Sequence, residues 1–488
     1  MTDLRLRLAS GLLPMVLALS GCATVGPTFA PPAPPTGQSY AAAGDATPVK
    51  AVLTPGGRPN GLWWNAFGSK SLNSVIDRAL ARNQTVAAAV AVMDKARAEV
   101  ERQRGVLKPN ITGSAVYQRQ RINPAAFGFS GFPSPTLNFF SVGPNVSYDL
   151  DLAGGGRRRV EAALAAEEVQ ARRADAAYLA LTGNVALQAV KIATVRAQTE
   201  IVRAVVADDL QTIDVVRRAE DAGGAAPSAG LGGALQLEED KALLPPLAQQ
   251  EALARHALAI LMGDAPSDWA SPDFRLDDFI RPTAVPVDLP SALVRRRPDI
   301  LAAEAQLHAD TALIGAATAR LYPDIRLTGS FSQEGLTPGS LFGFDASAYS
   351  FGPTLTLPIF DGGALRADRR AAEAQARADL AQYRQTVITA FAQVSDVLSA
   401  LAQDEERLAT LGRAESTAQA SHESARRAFD LGGAPLSDVI VADRLWRRAS
   451  LEKAQALGQE LADIVALYAA AAADWRTTTT QASPVKGR

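Results

Sequence analysis

The chain has 488 residues, 47% hydrophobic but only 6% aromatic, so its apolar content is mostly Ala, Leu and Val and wholesale disorder is excluded. Its 49 basic and 51 acidic residues are interspersed, with a net charge of -2, which leaves no electrostatic footprint for nucleic acid. One cysteine, Cys22, excludes an internal disulfide and a thiolate-rich metal centre, and the three scattered histidines, His256, His308 and His422, offer little for a metal or nucleophile site.

The first element is a processing signal. Arg5 and Arg7 precede an apolar stretch, Leu8 to Leu19, too short to span about 30 Å of hydrocarbon comfortably. The following Leu19-Ser20-Gly21-Cys22 resembles the bacterial lipobox, whose cysteine receives a diacylglyceryl group and becomes the first mature residue. We therefore read residues 1–21 as a signal peptide and 22–70 as a lipid-anchored extended segment, rich in Pro, Gly and Ala up to Pro59. Ala23, where Asp could stand, resembles lipoproteins sent on to the outer membrane. Beyond the covalent lipid on Cys22, no cofactor and no metal is expected. No later segment supplies 18 consecutive apolar residues without charge, so no transmembrane helix is expected.

The rest of the chain is written twice. Leu107-Lys108-Pro109-Asn110 returns as Leu321-Tyr322-Pro323-Asp324, 214 residues on, while Gly143-Pro144 returns as Gly352-Pro353 and Ala222-Gly223-Gly224 as Leu431-Gly432-Gly433, 209 residues on. The first repeat, 71–290, is expected to hold a helix, strands near 110–119 and 137–150, a long helix over 157–222, a return helix over 228–262 and an equatorial segment, 263–290. The second, 291–475, is expected to hold a helix, strands near 324–333 and 348–358, a long helix over 363–431 and a return helix over 436–474, before a flexible tail, 476–488.

Four segments alternate with a period of two. Ile111, Gly113, Ala115 and Tyr117 alternate with polar residues, as do Phe140, Val142, Val146 and Tyr148; Ile325, Leu327, Gly329 and Phe331; and Tyr349, Phe351, Leu355 and Leu357. That is the pattern of barrel strands with one apolar and one wet face. The linking loops carry Phe127, Phe129, Phe132, Phe342 and Phe344, which suits tips at a membrane interface. Four strands cannot close a barrel, since spanning barrels start at about eight and an open edge cannot face lipid. Two copies would give a filled barrel and three a pore, and the strand count alone does not choose.

Neither long helix contains proline. In the first, Tyr178, Leu181, Val185, Ile192, Val195, Val202, Val206, Leu210 and Ile213 recur at three and four, a coiled-coil seam. In the second, Leu380, Val387, Val394, Leu401 and Leu408 recur every seven residues, widened by Phe391 and Leu398. At 1.5 Å per residue each run would extend about 100 Å, and such a helix needs partners.

These residues together resemble the TolC-like outer-membrane efflux factors, in the NodT-like lipoprotein branch that serves resistance-nodulation-division (RND) pumps. The resemblance rests on the Cys22 lipobox, Trp63-Trp64 with Phe67, Leu293-Val294-Arg295-Arg296-Arg297-Pro298-Asp299-Ile300, and Leu357-Pro358-Ile359-Phe360-Asp361-Gly362-Gly363. It implies a mainly α fold with a membrane β-barrel portion: a homotrimer with a twelve-stranded barrel in outer-membrane lipid continuing into a coiled-coil helical tunnel in the periplasm. The implied partners are a second and third copy of the chain, a periplasmic adaptor (membrane fusion protein) and an inner-membrane RND-type pump.

The implied site is the pair of helix turns that constrict the passage and dock the adaptor. They are Arg218 to Ser228, with Asp221, Gly223 and Gly224, and Arg427 to Asp438, with Asp430, Gly432, Gly433 and Ser437. Asp438 aligns with an aspartate lining the constriction in relatives, and three copies would make a cation-selecting ring. Read from the residues alone, Pro435, Ser437 and Asp438 equally suit the start of a helix. The first turn lacks the aspartate expected near Ala229.

No carboxylate pair, Ser-His-Asp order or metal spacing argues for an enzyme. The glycine runs Gly154 to Gly156 and Gly230 to Gly233 lack the Gly-Lys-Ser/Thr of a phosphate loop, and the arginine runs Arg157 to Arg159 and Arg295 to Arg297 sit at helix starts beside acids. The functional expectation is a passive exit duct for small toxic molecules. The alternatives are the outer-membrane duct of a type I protein-secretion system and a non-conducting periplasmic coiled-coil lipoprotein.

Overall fold

The computed structural model describes residues 24–34, 40, 53–55, 62–128, 131–223, 226–282, 285–287 and 290–471. The expected signal peptide, Cys22, Gly224 and the tail 476–488 lie outside the described residues. In chain order the elements are β1 (Leu53–Pro55), α1 (Lys70–Arg82), α2 (Gln84–Val106), β2 (Asn110–Arg121), β3 (Thr136–Asp149), α3 (Gly155–Asp221), α4 (Pro227–Lys241) and α5 (Leu244–Leu261). Then follow β4 (Val285–Val287), α6 (Pro290–Leu293), α7 (Pro298–Ala319), β5 (Asp324–Gly335), β6 (Ser347–Thr356), α8 (Ala364–Asp430) and α9 (Leu436–Ala470). The chain forms two compact units, and each draws on both repeats.

The first unit comprises the chain up to Pro32, Val92–Gln170 and Ala302–Arg384. Its sheet is antiparallel throughout, in the order β2-β3-β5-β6. Registered rows cross all four strands: Ile111, Val146, Gly329 and Phe351 stand abreast, and in the next row stand Thr112, Asn145, Ser330 and Ser350. Apolar and polar rows therefore alternate along the sheet, as they must when one face meets lipid and the other water. Ile111 is 69% and Phe351 85% exposed, so the chain itself leaves the apolar face bare. β2 and β6 are open edges.

The helices of this unit follow the same lateral order as the strands. Arg97 on α2 reaches Glu167 on α3 at 3.3 Å, His308 on α7 meets Glu161 on α3 at 3.1 Å, and Arg320 on α7 pairs with Asp368 on α8 at 2.8 Å. The N-terminal leader is clasped here. Val25 N–H donates to the Ala153 carbonyl at 3.1 Å, and the buried Arg158 donates to the carbonyls of Val25 at 3.1 Å and Gly26 at 3.2 Å. Phe29 stacks on His308 with ring centroids 4.5 Å apart.

The second unit comprises Ala33–Ala91, Ala171–Leu301 and Gln385 onward. Its core gathers Trp63, Trp64 and Phe67 against α1, the middle of α3 and α8, and the end of α9, with Trp63 stacked on Tyr468 at 5.1 Å. Asn83 separates α1 from α2: its side-chain oxygen accepts from Thr85 and Val86 N–H and its amide donates to the Leu261 carbonyl, so one residue caps a helix and ties it across the core. Of the second arginine run, Arg297 is buried on Asp299, Gln393 and the Ala470 carbonyl.

Three details differ from the sequence pattern. The expected return helix over 228–262 is two helices, α4 and α5, because Pro245 and Pro246 supply no N–H donors and suit only a first helical turn. The α3 seam is buried from Leu181 to Val202, but Leu210 is 52% exposed, and the glycine-rich α4 beside it gives little cover. α3 also contains one 18-residue window apolar enough in composition to cross a membrane, more than half of it buried, which is the signature of a core helix.

Gly143 has a packing reason. A Cβ there would fall 2.8 Å from the Phe331 carbonyl carbon and from Ser332 Cα, so β3 and β5 approach closely only without a side chain. Gly143→Val is expected to cost about 1–3 kcal/mol through overpacking. The check is the thermal midpoint of the detergent-purified protein: it should fall, and an unchanged midpoint would contradict this approach of the strands.

Candidate functional site: two helix turns and the seam behind them

The turn after α8 is built from its backbone upward. Gly433 N–H donates to the Ala428 carbonyl at 2.8 Å and Gly432 N–H to Phe429 at 2.9 Å, with Gly432 at φ +73°, the paired bonds of a Schellman end. Only glycine takes that left-handed position without strain, which explains Gly432. The turn presents Leu431, 88% exposed, at its apex. Asp430 closes α8, and Arg427 reaches Glu423 at 3.9 Å, both in solvent.

Asp438 lies in the first turn of α9, where the helix dipole favours a carboxylate. It is exposed, and its carboxylate accepts from the neighbouring Ser437 hydroxyl at 3.3 Å and caps no backbone N–H of the helix. The charge is thus left to face outward.

The other turn is made differently. Asp221 closes α3 and Gly223 sits at φ +78°, both exposed. Where the expected aspartate is missing near Ala229, Glu220 reaches across and accepts from Gly230 N–H at 2.9 Å. A Cβ at 230 would sit 2.8 Å from that carboxylate oxygen, so a larger residue there would displace the flexible Glu220 side chain from this position. Glu220 was not legible as a site residue, since its partner lies across the turn.

Behind the second turn is a cleft of about 280 Å³ between α3, α8 and α9, lined by Asp208, Val215, Phe429, Asp430, Leu436 and Val439 among others. Arg447 on α9 bridges it, donating to Asp208 on α3 at 2.6 Å and lying 3.4 Å from Asp443. His422 on α8 faces the same Asp443 at 3.6 Å and stacks on Trp446. Burial pushes the Asp443 carboxyl up, against the pull of Arg447. Of these residues the sequence singles out Asp430 as part of the turn and His422 only as one of three scattered histidines, but not Asp208, Asp443, Trp446 or Arg447. Each helix shows its own charges, but the pairing of positions 239 apart is visible only once the helices are packed.

Two carboxylate pairs also sit between helices. Asp209 on α3 is pushed up to about 6 by burial and by Asp240 on α4, and Asp404 on α8 to about 7 by burial and by Asp463 on α9. Each pair is best accommodated when it holds one proton. For Asp209 the folded value lies above the unfolded one, so its favourable contribution is complete below about pH 4 and is lost as pH rises through about 6. Asp209→Asn is therefore expected to raise the thermal midpoint at pH 7 and to flatten its fall between about pH 4 and 6. A variant whose pH profile parallels that of the unmodified chain would show that this pair does not set the pH dependence.

An open four-stranded sheet of alternating apolar and polar rows, joined to helices of 67 residues, defines the subunit of an outer-membrane channel of the helical-tunnel class. The family model for outer membrane efflux proteins matches residues 75–264 and 289–473, once per repeat, and the chain belongs to that family. Outer membrane protein OprJ of Pseudomonas aeruginosa is 32% identical over 424 residues, 84% of this chain and 85% of its own length. Nodulation protein T of Rhizobium leguminosarum bv. viciae is 29% identical over 472 residues, 95% of this chain and 92% of its own. Among solved structures, the outer-membrane channel OprN superposes with a TM-score of 0.82 at 26% identity, covering 93% of this chain and 100% of that one. The chain is an outer-membrane efflux protein.

Proposed function

We propose that the chain is the exit duct of a tripartite efflux pump: a homotrimer whose twelve strands line a pore through outer-membrane lipid, with its helix turns docked on a periplasmic adaptor below. An inner-membrane RND-type pump supplies the energy, and the duct itself catalyses nothing. The observation that carries this reading is the run of alternating rows across a sheet with two open edges, because such edges are tolerable in lipid only if other copies close them. Lipid on Cys22 anchors the leader, and Val25 and Gly26, held by Arg158 three to four residues further on, support a fixed tether.

In this reading Asp438 forms the constriction. Its exposure and its lack of a capping role support a ring of three carboxylates, whose field attracts cations and disfavours anions at the narrowest point. Asp221, Gly223 and Gly224 on one turn, and Arg427, Asp430, Gly432, Gly433 and Ser437 on the other, form the adaptor-facing surface.

The test is the protein's mass in detergent together with its single-channel conductance in a planar bilayer. A trimer with a small, cation-selective, mostly closed conductance is expected. A monomer that never conducts would overturn the duct in favour of a structural coiled-coil lipoprotein. Asp438→Ala should raise the conductance or leak and weaken cation selectivity, whereas unchanged currents would leave Asp438 with a helix-starting role alone.

A further inference from the structure

The apolar face of the sheet, outward in the proposed barrel, ends at one level. On β5 it runs from Ile325, abreast of Leu355 on β6, through Leu327 and Phe331 to Gly335, abreast of Phe140 on β3. The ten steps from 325 to 335 make about 34 Å along the strand, or about 25 Å across a membrane at a tilt of roughly 40°, which is the height of the apolar band of an outer-membrane barrel. Phe140 stands opposite Tyr117 on β2 with ring centroids 4.9 Å apart, an aromatic pair of the kind that marks a membrane interface.

Beyond that pair the same face turns basic. Side chains alternate along a strand, so Arg119 and Arg121 follow Tyr117 on the outward side, while Gln118 and Gln120 face inward and bond to each other at 3.2 Å. Both arginines are exposed, and neither makes an ion pair with a described residue. Their opposed neighbours on β3, Asn138 and Thr136, carry no charge. Glu334 of β5 belongs to the inward face, where the Ser332 hydroxyl donates to it at 2.8 Å. The duplicated hairpin has Gln333 and Gly335 at the equivalent places, 214 residues on, so the fold itself does not require the basic pair.

We propose that Arg119 and Arg121 form a phosphate-binding site for the phosphorylated glycolipid of the outer leaflet; this rests on the membrane-spanning duct proposed above, with its helices on the periplasmic side. All four strands join helices at the end that holds Asn110, Asp149, Asp324 and Thr356. Arg119 and Arg121 lie toward the other end, so the headgroups at their level are those of the outer leaflet, whose glycolipid carries phosphate monoesters on its sugars. An arginine is costly inside the band, and just past the aromatic pair is the first level at which it meets an anion instead of hydrocarbon. Two residues apart on one face, the two side chains leave the strand about 7 Å from each other, and each guanidinium matches a phosphate through paired N–H bonds. Copies that close the sheet meet the edge of β2 and leave this face to lipid.

The test titrates the full-length protein, purified in a nonionic detergent, with diphosphoryl lipid A and reads the bound lipid by native mass spectrometry. Three-chain species carrying lipid A are expected, with tighter binding than for dephosphorylated lipid A or phosphatidylglycerol. At about fivefold per basic side chain, Arg119→Gln with Arg121→Gln should weaken binding about 25-fold. Arg119→Lys with Arg121→Lys keeps the charge and loses the paired bonds, and its affinity should fall between. Adding Gln118→Arg and Gln120→Arg to the neutral variant returns the charge to the inward face and should not restore binding. Oligomer and conductance should survive in the neutral and lysine variants.

Undiminished binding by the neutral variant, or recovery with the inward arginines, would overturn the site and leave the duct standing. Equal binding of dephosphorylated lipid A would overturn phosphate as the recognised group, and equal binding of phosphatidylglycerol would overturn the glycolipid as the occupant. A monomeric, non-conducting protein would overturn the duct, and the site with it.

Discussion

A sheet edge cannot be left in hydrocarbon. Each unpaired N–H and C=O there forgoes water without gaining a partner, at several kcal/mol per group, and four strands arranged β2-β3-β5-β6 carry two such edges. The proposed oligomer, the duplication and the common lateral order of strands and helices all answer that one constraint. A chain that contributes two hairpins in matching register offers two edges that further copies of itself could close. Within one chain both faces of β2 are also exposed.

The helical parts obey a different constraint. In water a backbone edge costs little, so specificity comes from apolar seams and from the few charges placed among them. Arg447 shows how this works: it ties α9 to α3 through Asp208 and also lies beside Asp443, where its charge opposes the upward push of burial on that carboxyl. The carboxylate pairs Asp209–Asp240 and Asp404–Asp463 act in the opposite sense, since they oppose close packing when fully ionised. The interhelical contacts of this unit are therefore a balance of like and unlike charges rather than a uniformly adhesive core.

Much of the fold was legible because its periodicities are long and uninterrupted. Leu380, Val387, Val394 and Leu401 repeat over enough turns that no local propensity could contradict them, and the alternation through Ile325, Leu327 and Phe331 states a strand with one wet face. The duplication added a second reading of each weak signal. What stayed hidden depends on distance in the chain: the clasp of Arg158 on Val25 and Gly26, and the bridge from Arg447 to Asp208, join positions more than a hundred residues apart. The break between α4 and α5 was hidden for another reason. Pro245-Pro246 can open a helix or end one, and the sequence around them remains apolar and helix-forming on both sides.

The two turns show how duplicated sequence diverges under a shared geometry. Both need a left-handed glycine to end a long helix, and Gly223 and Gly432 supply it at φ +78° and +73°. After that glycine the copies part. The second turn leads through Pro435 to Ser437 and Asp438, leaving a carboxylate exposed at a helix start, while the first leads to a glycine-rich α4 whose Gly230 N–H is occupied by Glu220. In the first repeat the acid is thus engaged in closing the turn, and in the second it is free to act on what lies beyond the turn. The negative ring proposed at the constriction would draw on Asp438 of the second repeat, while in the first repeat Glu220 is engaged in its own turn and Asp221 stays exposed at the helix end.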